Sequence, residues 1–172
     1  MHKKLTVVAG LILFIAQTAT SGPLQNSFEY NETGEKFGAK EFSLDLYGLG
    51  ATRNRENFAD NDTIGLGAGV NYYFTRYFGA SAETYIDDWD LPNHIDVSAL
   101  ARYPLEKYSL APYVLAGFGR QFHDEPQWTA HFGGGAEFRL NPMTGVFIDV
   151  RGIFPEDSPN LALWRFGVRL RF

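Results

Sequence analysis

The stretch Ala162-Leu163-Trp164-Arg165-Phe166-Gly167-Val168-Arg169-Leu170-Arg171-Phe172 decides the fold. Side chains of an extended strand alternate between two faces. Trp164, Phe166, Val168, Leu170 and Phe172 therefore share one face. Leu163, Arg165, Gly167, Arg169 and Arg171 share the other. One side of the ribbon is apolar and the other basic. A soluble domain usually ends in a frayed polar segment; this sequence stops on an aromatic residue inside the pattern. The expectation is a strand that closes a membrane barrel as its last stave.

Working back from that ribbon, the same alternation recurs. Phe42 to Ala51 sets Phe42, Leu44 and Leu46 on one face, with a phase that becomes unreadable after Gly48. Ile64 to Thr75 alternates Leu66, Ala68, Val70 and Tyr72 with glycines and Asn71. Tyr77 to Ile86 opposes Phe78, Ala80 and Ala82 to Ser81, Glu83 and Tyr85. Ile95 to Tyr103 opposes Val97, Ala99 and Ala101 to Asp96, Ser98 and Arg102. Leu110 to Arg120 is the weakest stretch, because Leu115 lies opposite the apolar row of Val114, Ala116 and Phe118. Trp128 to Arg139 and Thr144 to Phe154 alternate cleanly, with His131, Glu137 and Arg139, then Asp149 and Arg151, on their polar faces. The connections around Arg76, from Pro104 to Ser109, and around Pro142 are short. The others are longer and acidic.

Composition narrows the function classes. Aromatics are 16% of the chain and glycines number 18, which suits many short strands with tight turns. The net charge of −5 argues against nucleic acid as a partner. Without cysteine there is no disulfide, thiolate metal site or cysteine nucleophile. His2, Lys3 and Lys4 precede the apolar run Leu5 to Ala16 and a small, polar segment, the pattern of a secretory signal. We read residues 1–21 as that signal, 22–41 as a polar periplasmic lead-in, and 42–172 as the barrel.

A soluble barrel has the same period with its faces exchanged. Here the polar face is rich in glycine, which suits a narrow lumen that must house Arg, Tyr and Glu. Tyr72, Phe74, Phe78, Tyr103 and Phe138 lie near the short turns; Trp89, Phe118, Trp128, Phe154 and Trp164 lie near the long loops. Two aromatic girdles are what two membrane interfaces select. Strands of about ten residues cross a bilayer when tilted. The fold class expected is all-β: an eight-stranded antiparallel up-and-down transmembrane β-barrel.

By strand count, turn asymmetry and the ending Arg165 to Phe172, the chain resembles the small eight-stranded outer-membrane barrels, the family of the outer membrane protein A barrel domain and the opacity-type proteins. The resemblance covers about residues 42–172. It implies a Gram-negative-type outer membrane, both termini periplasmic, and partners among outer-membrane lipid and lipopolysaccharide. It also makes Trp164, Phe166, Val168, Leu170 and Phe172 a signal read by the outer-membrane assembly machinery, after the secretion machinery has delivered the chain.

The luminal set carries Asp45, Glu83, Asp96, Glu137 and Asp149 against Arg102, Arg139, Arg151, Arg165, Arg169 and Arg171. Unpaired charges in a narrow bore are costly, so mutual pairing is expected. The structural network singled out is Glu83, Arg102, Glu137, Asp149, Arg151, Arg165 and Arg169. The competing reading is a gated ion path or a catalytic carboxylate. An eight-stranded barrel has barely room for its own side chains, which favours a plug. His131 with Thr129 and Glu137 is the lone enzyme candidate, but parity turns His131 into the lumen. A lipid A-modifying hydrolase of this family would need its His and hydroxyl on the outer surface. The run Gly65-Leu66-Gly67-Ala68-Gly69 lacks dinucleotide-fingerprint spacing. The acidic loop residues Asp60, Asp62, Asp87, Asp88, Asp90, Asp124, Glu125, Glu156 and Asp157 form no recognisable coordination loop and read as a solvated rim. No cofactor or metal is expected. The function expected is a non-enzymatic structural or surface-interaction role. The alternatives are a narrow pore, then a lipid A-modifying enzyme or a soluble lipocalin-like barrel.

Overall fold

In the computed structural model the described residues are 35–52, 62–86, 94–122, 126–157 and 159–172. The stretch read from sequence as a secretory signal, residues 22–34 of the expected lead-in, Trp89, His123 and most of the acidic loop residues lie outside them. Eight strands run in chain order: β1 (Glu41–Thr52), β2 (Asp62–Tyr73), β3 (Phe78–Ile86), β4 (His94–Arg102), β5 (Leu110–Gln121), β6 (Gln127–Arg139), β7 (Thr144–Pro155) and β8 (Leu161–Arg171). Each pairs antiparallel with its neighbours and β1 pairs with β8, closing the barrel. β1 begins at Glu41, one residue before the expected barrel boundary, and β8 ends at Arg171, one residue short of it. Closure removes every free edge, so each strand has hydrogen-bonding partners on both sides without water.

Three connections are held by local chemistry at one end of the barrel, called here the turn end. Between β2 and β3, the Thr75 hydroxyl accepts from the Tyr77 and Phe78 amides at 3.2 and 2.9 Å. Between β6 and β7, the Asn141 carboxamide oxygen accepts from the Met143 and Thr144 amides at 2.9 Å each. Both are side-chain-closed turns of the kind Thr and Asn favour. Between β4 and β5 a 3₁₀ turn, Glu106–Tyr108, ends on Ser109 at φ 56°, a left-handed residue that reverses the chain. β1 starts and β8 finishes at this same end.

The outward face is apolar along every strand. Leu66, Val97, Val114, Phe132, Ile148, Val150 and Phe166 are all exposed. Phe74, Phe78, Tyr103 and Phe138 project at the turn end, and Phe118, Trp128, Phe154 and Trp164 towards the other, the loop end. The weak fifth strand is regular, with Tyr113 and Leu115 buried inside and Val114 and Phe118 outside. The unreadable half of β1 keeps its phase too: Tyr47, Leu49 and Ala51 all point into the bore. They join Tyr85, Phe147, Ile153 and Leu163 in an apolar cluster. The loop-side part of the bore is thus partly greasy, and polarity loses its value as a guide to facing there.

Candidate functional site

The polar rows of the strands meet in the bore, and their charges sort into two groups. In the first, Arg165 on β8 stands directly across the ladder from Asp149 on β7. Its Nε and Nη2 donate to Asp149 Oδ1 and Oδ2 at 2.8 and 2.6 Å, a bidentate fork. Its Nη1 reaches across the bore to Glu83 Oε2 on β3 at 2.7 Å. Arg151 donates to both Glu83 oxygens, the Nη2 bond being 3.1 Å. The Tyr113 hydroxyl donates to Asp149 at 2.6 Å. The Arg165 guanidinium also lies 4.5 Å from the Tyr47 ring centre, a cation–π contact inside the same layer.

The second group lies nearer the turn end. Arg169 stands across from Asp45 and grips it with two bonds of 2.7 Å, while its Nη1 donates to Glu137 at 2.6 Å. Arg139 donates to both Glu137 and Glu41. Glu41 also accepts two bonds of 3.1 Å from Arg102. All of these side chains are buried. The attraction and hydrogen bonds of a partner offset the desolvation cost of a buried charge, and here each carboxylate of the two groups has at least one guanidinium.

Of the residues selected from sequence, Glu83, Asp149, Arg151 and Arg165 therefore meet in one layer, and Arg102, Glu137 and Arg169 in the next. Glu41 was missed because it fell on the lead-in side of the expected boundary. Its signal was parity, since Glu41, Ser43 and Asp45 continue one row. Phe37 was missed as well. It is the only large apolar residue between Tyr30 and Phe42. It is fully buried, with the Arg102 and Arg139 guanidiniums 5.3 and 4.9 Å from its ring centre. The strap Glu35–Lys40 that carries it is pinned from three sides. Glu106 accepts from the Lys36 amide at 2.9 Å, Arg76 bonds Glu35 at 2.9 Å, and Arg102 donates to the Gly38 carbonyl at 2.9 Å. Lys40, at φ 56°, turns the strap into β1.

The enzyme candidate assembles differently from its expected form. His131 is buried in the bore, and its Nε2 lies 2.7 Å from Ser98 Oγ on β4. Glu137 lies three inward positions further along β6 and is engaged by Arg139 and Arg169. The Ser–His contact crosses the bare face of Gly117, where a Cβ would meet both the His131 ring and the Ser98 backbone. Asp96 differs from the other luminal acids: it is buried, yet among the described residues no arginine or lysine forms an ion pair with it. On β8, Trp164, Phe166 and Val168 are exposed on the outward face, Leu170 is half-buried beside them, and Phe172 follows the strand.

No protein-family model and no curated protein matches this sequence. Solved structures do. The N-terminal β-barrel domain of Pseudomonas aeruginosa OprF aligns with a TM-score of 0.64 at 14% identity, covering 78% of this chain and 99% of that one. Ail, the attachment invasion locus protein of Yersinia pestis, in complex with the heparin analogue sucrose octasulfate, aligns at 0.58 and 15%, covering 78% and 99%. A de novo designed transmembrane β-barrel aligns at 0.54 and 21%, covering 76% and 95%. A designed barrel shares this shape with natural ones, so shape carries no activity of its own. With its closed eight-stranded ladder, apolar exterior and ion-paired bore, the chain has the fold of the small eight-stranded outer-membrane β-barrels.

Proposed function

We propose that this protein is an outer-membrane β-barrel with a non-enzymatic role, serving as a structural element of the membrane and a carrier of surface loops. The termini and short turns face the periplasm and the long loops face outward. The observation that supports it most is the filling of the bore. Two layers of paired charge span opposite walls, and neither leaves a reactive group uncommitted in an open cleft. The exterior is suited to lipid and lipopolysaccharide. The row Trp164, Phe166, Val168, Leu170 and Phe172 is suited to the assembly machinery. The long connections are acidic, with Asp87, Asp88 and Asp90 in one of them, so a polyanion is a poor fit for these loops.

Planar-bilayer recording and lipid A analysis test this reading together. The expected outcome is little current and unaltered lipid A in cells that overproduce the protein. A steady large conductance would replace the reading with a pore. Appearance of a modified lipid A dependent on His131 would replace it with an enzyme.

A further inference from the structure

The arginines on the inward rows of the strands are each paired with a carboxylate of the bore. Arg120 is on the other face. It follows Val114, Ala116 and Phe118 in the outward row of β5, one residue from the loop-side end of the strand. Among the described strand residues it is the one cation on the lipid-facing side. A cation on that side is costly at mid-membrane and nearly free at the interface, so its position sets it level with lipid headgroups. Its ladder partners are Ile95 on β4 and Trp128 on β6. Its guanidinium lies 5.1 Å from the centre of the Trp128 ring. Among the described residues no carboxylate forms an ion pair with it. The indole braces one face of the guanidinium by cation–π attraction and leaves the N–H edge for an acceptor from outside.

The surface beside it, towards the turn end, is apolar and shaped by one small residue. Ala130 is exposed on β6 between Trp128 and Phe132 in its row, and stands across the ladder from Phe118 on β5 and Phe154 on β7. All four rings are exposed. Phe132 and Phe154 stack with ring centres 5.3 Å apart, and a Cβ at Gly152 would meet the Phe154 ring at 3.1 Å. A low floor with aromatic sides suits a saturated acyl chain. It lies about 7 Å from the Arg120 rung, two residues along the strand. The opposing charges nearby are Glu156, whose amide donates to the Trp128 carbonyl at 3.2 Å, and Asp157. Both side chains are exposed, where counter-ions screen them. The acidic loops stand off a soluble polyanion, whereas a phosphate carried on acyl chains arrives along the barrel wall.

We propose that Arg120, braced by Trp128, binds a phosphate of the lipid A portion of lipopolysaccharide, with an acyl chain of that lipid laid on the Ala130 patch. Guanidinium and phosphate match as a bidentate fork. An anionic phospholipid carries related chemistry, but its phosphate is a diester, and a monoester offers more charge and more free oxygens. The choice of lipid A rests on the reading that the loop end faces outward.

The test uses the mature full-length chain in neutral detergent, with bound lipid counted by native mass spectrometry. The probes are lipid A, the same lipid stripped of its phosphates, phosphatidylglycerol and glucosamine 1-phosphate. Saturable binding of one lipid A is expected. Removing the phosphates, or Arg120→Gln, should each weaken it about tenfold, the worth of a charge-assisted hydrogen bond. Arg120→Lys should fall between. Glucosamine 1-phosphate, which has no acyl chain, should bind more weakly than lipid A. Equal binding of the stripped lipid, or an Arg120→Gln variant as tight as the wild type, would overturn the site. Phosphatidylglycerol bound as tightly as lipid A would overturn the choice of ligand, and glucosamine 1-phosphate bound as tightly would overturn the role of the patch. The wild-type comparison of the two lipid A forms decides the matter if the variant does not fold. Orientation is read separately. The chain has no cysteine, so Glu156→Cys gives a single thiol for an impermeant maleimide on intact cells. Labelling without lipid A binding overturns this site alone; no labelling overturns the outward-loop reading and the choice of lipid A with it.

Discussion

Arg165 shows how much a single luminal side chain carries. It holds Asp149 with two bonds and Glu83 with a third, and stacks on Tyr47, while being 2% exposed itself. The guanidinium fork is what allows this, since a lysine ammonium could not engage a planar carboxylate in bidentate fashion while reaching a second one. Removing it strands part of two buried carboxylates. We predict that Arg165→Met destabilises the barrel by about 3–5 kcal/mol, the usual cost of breaking a buried pair. The double change Arg165→Met with Asp149→Leu should cost less than the single one, because the charge left behind goes with it and Glu83 retains Arg151. Urea unfolding of protein refolded into vesicles measures both. A double variant weaker than the single one would show that the pairing is not what holds this layer.

At the level of the strand, alternation was readable wherever lipid enforces an apolar exterior, and it failed where the interior is apolar too. In β1 the outward positions Gly48 and Gly50 carry no side chain while inward Leu49 and Ala51 are hydrophobic, which inverts the usual signal. The structure supplies the reason at Gly50, since the Trp164 indole of β8 occupies the place a Cβ would take. Strand facing therefore needs knowledge of the neighbouring strand, which a single sequence does not encode locally. The ladder partners Asp45–Arg169 and Asp149–Arg165 were selected as luminal from parity, but their pairing follows from register, and the contacts across the bore follow from closure. β8 gives a graded test of facing. Phe166→Arg, in the middle of the strand, should cost about 2–4 kcal/mol, and Leu170→Arg, next to the interface, about 0–1. Glycines on the inward and outward faces make the complementary point. Gly135→Ala would push a Cβ into the Ile148 carbonyl and Asp149, so a loss of about 1–3 kcal/mol is expected. Gly48→Ala meets nothing nearer than 4.0 Å and should be close to neutral. Equal effects at the two glycines, read by the same unfolding assay, would contradict the described packing.

Across the whole molecule the described bore is obstructed in series. From the turn end inward come the strap with Phe37, the Glu41–Arg139–Glu137–Arg169 group, and the Glu83–Asp149–Arg165 layer, with the Leu49–Ile153–Leu163 cluster beyond. The strap was not legible in sequence because its anchors are remote: Glu106, Arg76 and Arg102 come from three other parts of the chain. Obstructions in series have a consequence that a single gate does not. Current is limited by the tightest point remaining, so opening one level leaves the others in control. Phe37→Ala alone, and Glu83→Ala alone, should each leave planar-bilayer conductance near the wild-type level while lowering stability. The Phe37 change removes a ring packed between two guanidiniums, and the Glu83 change removes the acceptor shared by Arg151 and Arg165. Combining Phe37→Ala with Glu137→Ala, Glu83→Ala and Leu49→Ala removes an obstruction from each of the four levels, and conductance should rise more than the sum of the single changes. Additive small increments would show that the levels do not act in series, and a large current from Phe37→Ala alone would show that the strap is the gate and the charge layers are already permeable to water and ions.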